Sequence, residues 1–567
     1  MMIELTPALP LLLGGLLVAV CRGRLRALVM LLAPLLGGLL LGSLEPGSEQ
    51  TMQLLGFELV PVRVDRLSLL FGYLFHLAAF IGVIYALHVK DPLQDVAALI
   101  YAGSAVGAVF AGDLITLFVF WELLAISSSF LIFARGGQLA LSSGLRYLFM
   151  QVGSGVLLLA GVIIFARAPG SSGYSFDYIG LDAPGGWLIF LAFGIKSAFP
   201  LLHTWLTDAY PEATPSGTVF LSAFTTKVAI YALARGFAGT ELLIYIGAIM
   251  ACFPIFYAVI ENDLRRVLAY SLINQLGFMV VGIGVGTELA VNGAVAHAFN
   301  DVLFKGLLMM SMGAVLQVTG EIRGSELGGL YKKMPKTAML CMVGAASISA
   351  FPLFSGFVSK SMVVAAVLDE GYQLVWLALL FAAAGVFHHA GIKIPFFAFF
   401  HHDSRYVASA HEPPTNMLLA MALAALLCIG IGCFPQLLYG LLPYPMQYSP
   451  YDMSHVLAQT QLLAFSALAF TWLKLSGIYP DEMKSVNLDA DWFYRGFLYE
   501  RWNALVVVVH KRSQLLWQGL CQLFSLVLRK LKSNNYVQAV SVSFYTTGTM
   551  ILWLLSMLAL TLILYYL

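Results

Sequence analysis

Apolar runs of about twenty residues follow one another along almost the whole chain, from the stretch at 5–21 to the one at 546–566. A run of that length is what an α-helix needs to cross the hydrocarbon core of a bilayer. Inside a bilayer only helices and closed barrels satisfy their own backbone polar groups. The pattern predicts an all-α, polytopic membrane protein of about 14–16 transmembrane helices. Composition agrees, with 60% hydrophobic and 11% charged residues, where a soluble protein carries about 25% charged.

The predicted spans are 5–21, 27–43, 66–88, 96–111, 114–133, 146–167, 186–206, 216–235, 241–259, 266–286, 290–318, 337–367, 374–391, 415–440, 455–477 and 546–566. Turn and breaker residues separate several of them, at Gly170 to Gly173, Pro211 to Pro215, Pro413–Pro414 and Pro443 to Pro450. The first run is read as an uncleaved span rather than a signal peptide, because its basic residues follow the apolar stretch instead of preceding it.

Charge fixes an orientation. Alternate connections carry Arg22, Arg24, Arg26, Lys90, Arg135, Arg146, Arg265, Arg266, Arg323, Lys332, Lys333, Lys336, Lys393 and Arg405. The opposite connections carry only Arg63, Arg66, Arg167 and Arg235. Basic loops stay in the cytoplasm, so the N-terminus is expected outside.

Two lysines lie where lysine is expensive. Lys196 closes an apolar run and is followed at once by SAFPL, residues 197–201; the same five letters return at 349–353 and lead to Lys360. A lysine at the centre of a bilayer helix costs about 2.5–3.5 kcal/mol, which makes it a functional-site hypothesis. At nearly the same offset of about 150 residues, the Asp-Leu pair at 113–114 matches the pair at 263–264. Five predicted helices separate matching points, and an odd number inverts the second copy in the membrane. Inverted repeats with broken helices are a transporter architecture, with sites near the midplane. The division read from this is 1–95 for N-terminal helices, 96–240 and 241–412 for the two halves, and 413–479 for C-terminal helices. A 480–545 amphipathic segment on the cytoplasmic side follows, then a final span in 546–567. The amphipathic segment interleaves Arg495, Arg501, Lys511 and Arg512 with Trp492, Trp502, Leu516 and Trp517.

Other ionisable groups join the lysines. Glu122 falls in the middle of the fifth span and needs an interior partner, for which Lys196 is the candidate. Lys227 lies one span after Lys196, where it either receives a proton or snorkels to an interface. His297, Asp301 and Lys305 recur every four residues and so share one helix face, as a proton relay or as a structural network. His203 and Asp208 follow the first break and are candidates for an access path from the cytoplasm. His76, His388, His389, His401 and His402 are placed mostly near interfaces. A static buried ion pair remains the bland reading of Glu122 with Lys196.

Other chemistry finds no foothold. The six cysteines are scattered with no CxxC or Cys/His cluster, which argues against zinc, iron–sulfur and disulfide sites. The absence of a P-loop argues against an ATP-driven pump. No cofactor is expected.

The segments DLITLFVFWEL, GIKSAFPLLHTWLTDAYPEATPSGTVFLSAFTTKVAIYAL, DLRRVLAYSLINQLGFM, HAFNDVLFKGLLMM and FPLFSGFVSK, within roughly residues 60–440, resemble the antiporter-like subunit family. That family is shared by respiratory complex I and the Mrp-type multisubunit cation/proton antiporters, and the nearest flavour is the D-type Mrp subunit. The resemblance implies that Glu122 modulates Lys196, that Lys227 links two half-channels, that His297 and Lys305 form a relay, and that Lys360 is the ionisable group of the second broken helix. Many relatives carry a second histidine where this chain has Asp301. The tail beyond about residue 480 is longer than in D-type subunits and resembles that of the distal complex I subunit and the large Mrp subunit. The function implied is proton translocation within a monovalent cation (Na⁺ or K⁺)/proton antiporter, with other membrane subunits and lipid as partners. A proton-pumping subunit of a complex I-like or membrane-hydrogenase assembly, and a proton path for an inorganic-carbon uptake complex, are the alternatives.

Overall fold

The computed structural model describes residues 6–54, 56–169, 173–479, 482–483, 487–532 and 556–558. It divides into two units, Met1–Asn487 and Leu488–Leu567. The first begins with α1 (Leu9–Val20) and α2 (Gly23–Leu41), then a hairpin of β1 (Glu49–Leu54) and β2 (Phe57–Arg63). The helices α3 (Arg66–Ala86), α4 (Pro92–Phe110), α5 (Leu114–Phe133) and α6 (Gly137–Arg167) follow. A broken traverse is made of α7 (Gly186–Lys196) and α8 (Thr204–Ala209), and the next of α9 (Pro215–Ala223) and α10 (Thr225–Gly236). Then come α11 (Glu241–Ile260), α12 (Leu264–Val285) and α13 (Glu288–Thr319). A second broken traverse pairs α14 (Pro335–Ile348) with α15 (Ser355–Asp369). It leads to α16 (Gln373–Val386), α17 (Thr415–Cys433), the short α18 (Gln436–Tyr439) and α19 (Met453–Leu475). Twelve helices among the described residues are long and apolar enough to cross a membrane. The shorter α1, α7 and α14 sit where the sequence places further spans.

The repeat is real in three dimensions. In both SAFPL copies the alanine and the leucine take left-handed backbone: φ is 61° at Ala198 and 68° at Leu201, 59° at Ala350 and 72° at Leu353. The N–H of Phe199 reaches the Gly194 carbonyl at 3.0 Å, and that of Phe351 reaches Ala346 at 3.1 Å. The preceding serines bond back one turn, Ser197 to Phe193 and Ser349 to Ala345. A left-handed residue is a common way to end a helix, and alanine or leucine there carries a cost of about 1–2 kcal/mol each. The Asp-Leu pairs match as well. Asp113 caps α5 through the Thr116 N–H, and Asp263 caps α12 through the N–H groups of Arg265 and Arg266. Each aspartate also forms an isolated antiparallel bridge, with Ser175 and with Arg323.

Packing grades from centre to rim. The traverses α9–α10 and α12 are wholly buried over their apolar windows, whereas only 11% of the α19 window is. The ends of the helices place the basic loops on one face and the hairpin, with Arg66 and Arg235, on the other.

Three sequence expectations need correction. The sequence reading has no hairpin between the second and third spans, because β1 is largely exposed and β2 buries only Leu59 and Val62, a pattern too short to stand out. The thirteenth span does not stop near 391: α16 continues through π-helical turns Phe387–Lys393 and Phe396–Phe400. Lys393 therefore lies inside a helix and is completely buried, rather than in a basic connection. His389, placed near an interface from the sequence, is likewise completely buried.

The second unit contains α20 (Leu498–Lys532), a strongly amphipathic helix of 35 residues preceded by a π-helical turn. The predicted last span, 546–566, lies outside the described residues apart from 556–558.

Candidate functional site

Lys196 is the last residue of α7, and the chain turns away immediately after it. Its ammonium, with no exposed surface, donates to the Trp121 carbonyl of α5 at 2.6 Å and sits 4.5 Å from the Trp121 ring centroid. Glu122 is the next residue of α5, and its charge and that of Lys196 act on each other. The expected direct pairing is not what holds the lysine: its hydrogen bond goes to a carbonyl, and Glu122 Oε1 is buried with no hydrogen-bond partner among the described residues. The carboxyl lies against Gly155 of α6, where a Cβ would collide with it.

The centre of the unit holds a direct pair. Lys227 Nζ and Asp301 Oδ2 are 2.6 Å apart, and neither side chain has exposed surface. The helical traverse breaks at Phe224, and Lys227 also donates to the Ser222 carbonyl at 3.0 Å. Lys227 does not snorkel. Asp301 is on α13, and its charge also reaches Lys305 and Lys360.

His297, Asp301 and Lys305 occupy one face of α13, as their spacing predicts. Lys305 donates to Ser271 of α12 at 2.8 Å. His297 is held on both sides, by Ser359 of α15 at 3.0 Å and by Gln275 of α12 at 3.1 Å. Asn300 bonds the same Ser359 and the Ser355 carbonyl. Lys360 follows Ser359 and donates to the Ile348 carbonyl at 3.0 Å, with its ammonium 5.0 Å from the Phe278 ring centroid. Ile348 immediately precedes its SAFPL copy, as Lys196 precedes the other. Both amines therefore meet at the ends of equivalent half-helices, one from within and one from beyond the break.

His203 and Asp208 lie after the first break, on the side of the basic loops. His203 is buried against the Phe253 ring at 4.7 Å between centroids, and Asp208 pairs with Arg146 at 2.6 Å. These two stand apart from the lysine row.

Sequence reasoning missed two polar groups. One is a buried hydroxyl chain. Ser128 and Tyr147 lie 2.8 Å apart, Tyr147 and Thr225 3.5 Å, and Thr225 and Tyr101 2.6 Å. It ends two residues before Lys227; uncharged hydroxyls inside apolar runs left only the SSS triplet and the Thr225–Thr226 pair as a signal. The other is Lys393, which donates to the carbonyls of Ala258, Val259 and Glu261 at the end of α11 and pairs with Glu482 at 2.9 Å. Its sequence position beside a predicted loop hid it.

The site defines a class of protein by its architecture: a discontinuous bundle of apolar helices with buried ionisable side chains at both breaks and along α13. Residues 111–387 match the family described as NADH:quinone oxidoreductase/Mrp antiporter, TM. It is 29% identical over 345 residues to the D-type subunit of the Na(+)/H(+) antiporter of Alkalihalophilus pseudofirmus, covering 58% of this chain and 69% of that one. It is 29% identical over 371 residues to hydrogenase-4 component B of Escherichia coli, covering 59% of this chain and 55% of the relative, just over half its length. Among solved structures, the membrane-bound sulfane sulfur reductase, an archaeal respiratory membrane complex, contains a chain matched with a TM-score of 0.72 at 21% identity. That match covers 99% of this chain and 100% of the other, and it speaks for the fold.

Proposed function

We propose that this chain is a proton-translocating membrane subunit of a multisubunit monovalent cation (Na⁺ or K⁺)/proton antiporter. The observation that carries the reading is the row of buried ionisable groups from Glu122 and Lys196, through Lys227 and Asp301, to Lys305, His297 and Lys360. A fully buried amine is costly to keep charged, so each lysine holds a proton only while a carboxylate or carbonyl compensates it. Lys196 rests on a carbonyl with Glu122 close by, and a shift of that carboxylate changes how firmly the proton is held. Lys227 and Asp301 form the link between the halves 96–240 and 241–412. His203, Asp208 and Arg146 line the approach to Lys196 from the basic face, which the charge bias assigns to the cytoplasm, with the N-terminus outside. Other membrane subunits of the same assembly complete the device, and lipid surrounds it.

A second reading is a proton-pumping subunit of a redox-driven membrane complex. The full-length correspondence with a chain of a respiratory complex, α20 included, favours it. Both readings share the lysine row and differ in what drives it.

The test uses everted vesicles containing the native complex, with a pH gradient dissipated by added Na⁺ or K⁺. Lys196→Ala at normal protein level should abolish the signal. Full activity in the variant overturns the lysine pathway. Gradient formation only on addition of a reductant selects the redox reading.

A further inference from the structure

A groove of about 380 Å³ lies between α14 and the π-helical continuation of α16. Its floor is made of small residues, Ala345 and Ala346 of α14 and Gly391 of the first π-helical turn. Its walls are Met342 on one side and Phe387, Phe396 and Phe400 on the other. No polar side chain lines it among the described residues. The shape has local causes. A Cβ at Gly391 would collide with Ser349 and with the Phe387 ring, so glycine lets this helix approach the second SAFPL copy closely. Pro395 also lines the groove and lacks an N–H; it stands between the two π-helical turns, where the regular helical ladder is already broken.

The groove ends inside the bundle. At its inner end the rings of Phe351 and Phe387 meet edge to face, 5.5 Å apart between centroids. At its outer end the Phe400 ring stacks on Tyr331 at 5.4 Å, beside the basic loop that precedes α14. The run from Phe387 to Phe400 rises about 20 Å at most, at about 1.5 Å per residue. One leaflet contributes about 15 Å of hydrocarbon. The groove therefore serves the single leaflet on the side of the basic loops, which suits an acyl chain. A partner's transmembrane helix crosses about 30 Å and would not stop at the Phe351 ring.

Charge selects the headgroup. Lys333 and Lys336 are exposed at the outer end, just before and within the first turn of α14. The acids beside them are engaged: Asp403 pairs with Lys332 at 2.6 Å, and Glu412 accepts from the Lys336 N–H at 2.6 Å and the Thr337 hydroxyl at 2.7 Å. We propose that the groove binds an anionic phospholipid of this leaflet, with one acyl chain between α14 and α16 and the phosphate held by Lys333 and Lys336. Any apolar groove in a bilayer meets acyl chains; basic residues at the membrane surface are what favour an anionic headgroup. The end of the chain packs on Phe351, whose N–H reaches the Ala346 carbonyl at 3.1 Å. Ile348, between these two in sequence, gives the carbonyl that holds Lys360. The lipid is thus a packing partner of the second break supplied from outside the chain. Its binding does not depend on what drives ions through the complex.

The test uses the whole complex in nanodiscs containing phosphatidylglycerol with a diazirine near the end of one acyl chain. After irradiation, adducts are mapped by peptide mass spectrometry. Adducts on Met342, Phe351 or Phe387 are expected, about tenfold more than with phosphatidylcholine carrying the same chain. Lys333→Gln combined with Lys336→Gln should lower phosphatidylglycerol labelling to the phosphatidylcholine level. Ala346→Trp, which fills the floor, should remove the groove adducts of both lipids and leave those on the exposed face of α19 unchanged. Equal labelling by the two lipids in the unmodified complex means annular lipid only and overturns the proposal. So does a groove without adducts, as when a partner helix covers it. If Ala346→Trp does not fold, the lysine double variant, whose changes lie at the surface, decides alone.

Discussion

Lys227 Nζ and Asp301 Oδ2 meet at 2.6 Å with no exposed surface on either side chain. One carboxylate there serves a neighbourhood of three buried lysines, because its charge also acts on Lys305 and Lys360. Charge in this neighbourhood is therefore rationed: protonating a second lysine weakens what Asp301 gives the first. A histidine at position 301 would bring no fixed negative charge, so the aspartate makes the centre of this chain a place where ammonium groups compete.

Removing one partner of such a pair leaves an uncompensated buried charge. Asp301→Asn should destabilise the protein by about 3–5 kcal/mol and remove transport, whereas Lys227→Met with Asp301→Asn should recover much of the stability without recovering transport. Thermal unfolding of the detergent-solubilised protein, followed beside vesicle assays, separates the two effects. Equal stability of the single and double variants would count against the pair as drawn.

Gly155 gives the Glu122 carboxyl its place, since a Cβ there would fall on Oε1. Gly155→Ala should displace the carboxylate and lower transport with little loss of folded protein. Size-exclusion profiles and vesicle assays check this together, and an unchanged rate would free Glu122 from the mechanism.

The left-handed alanines in the two breaks set a graded expectation. Ala198→Gly and Ala350→Gly should be tolerated or stabilising by up to about 1 kcal/mol, because glycine adopts positive φ freely. Ala198→Val should cost about 1–3 kcal/mol, since a β-branched residue at positive φ is an outlier. Melting temperatures in detergent rank the three.

On the face opposite the basic loops, Asp65 caps α3 and pairs with Arg235. Burial raises its carboxyl pKa, but Arg235 and the Ser68 N–H outweigh this and hold it below the ordinary value. A depressed carboxylate contributes stability that is fully present above its unfolded pKa of about 3.9 and is lost as pH falls through the lower folded value. Acidification below about pH 4 should loosen this corner, and Asp65→Asn, which keeps a capping side chain, should lessen that pH dependence. Melting temperature against pH is the measurement; identical curves would exclude the effect.

Much of the architecture was legible in the residues. Span length, loop charge and the doubled SAFPL act locally or by composition, so they announced the traverses, their alternation and the two breaks. Lys196, Lys360 and the His297–Asp301–Lys305 face were legible because a charge inside an apolar run is costly and therefore informative. The hairpin was not, since β1 is largely exposed and β2 buries only Leu59 and Val62, too little pattern to stand out. Lys393 was hidden because two π-helical turns carry α16 past the point where the apolar pattern weakens.

The sequence by itself determined that the chain is a membrane bundle, where it breaks and which ionisable groups it commits to the interior. Hydrophobicity and helical periodicity are properties of a segment and need no partner. Only the tertiary structure decided who meets whom: that Lys227 finds Asp301, that Lys196 rests on the Trp121 carbonyl beside Glu122, and that α16 brings Phe387 against Phe351 at the second break. Those choices join residues far apart in the chain, and they are made by helices packing at distances a local pattern does not encode.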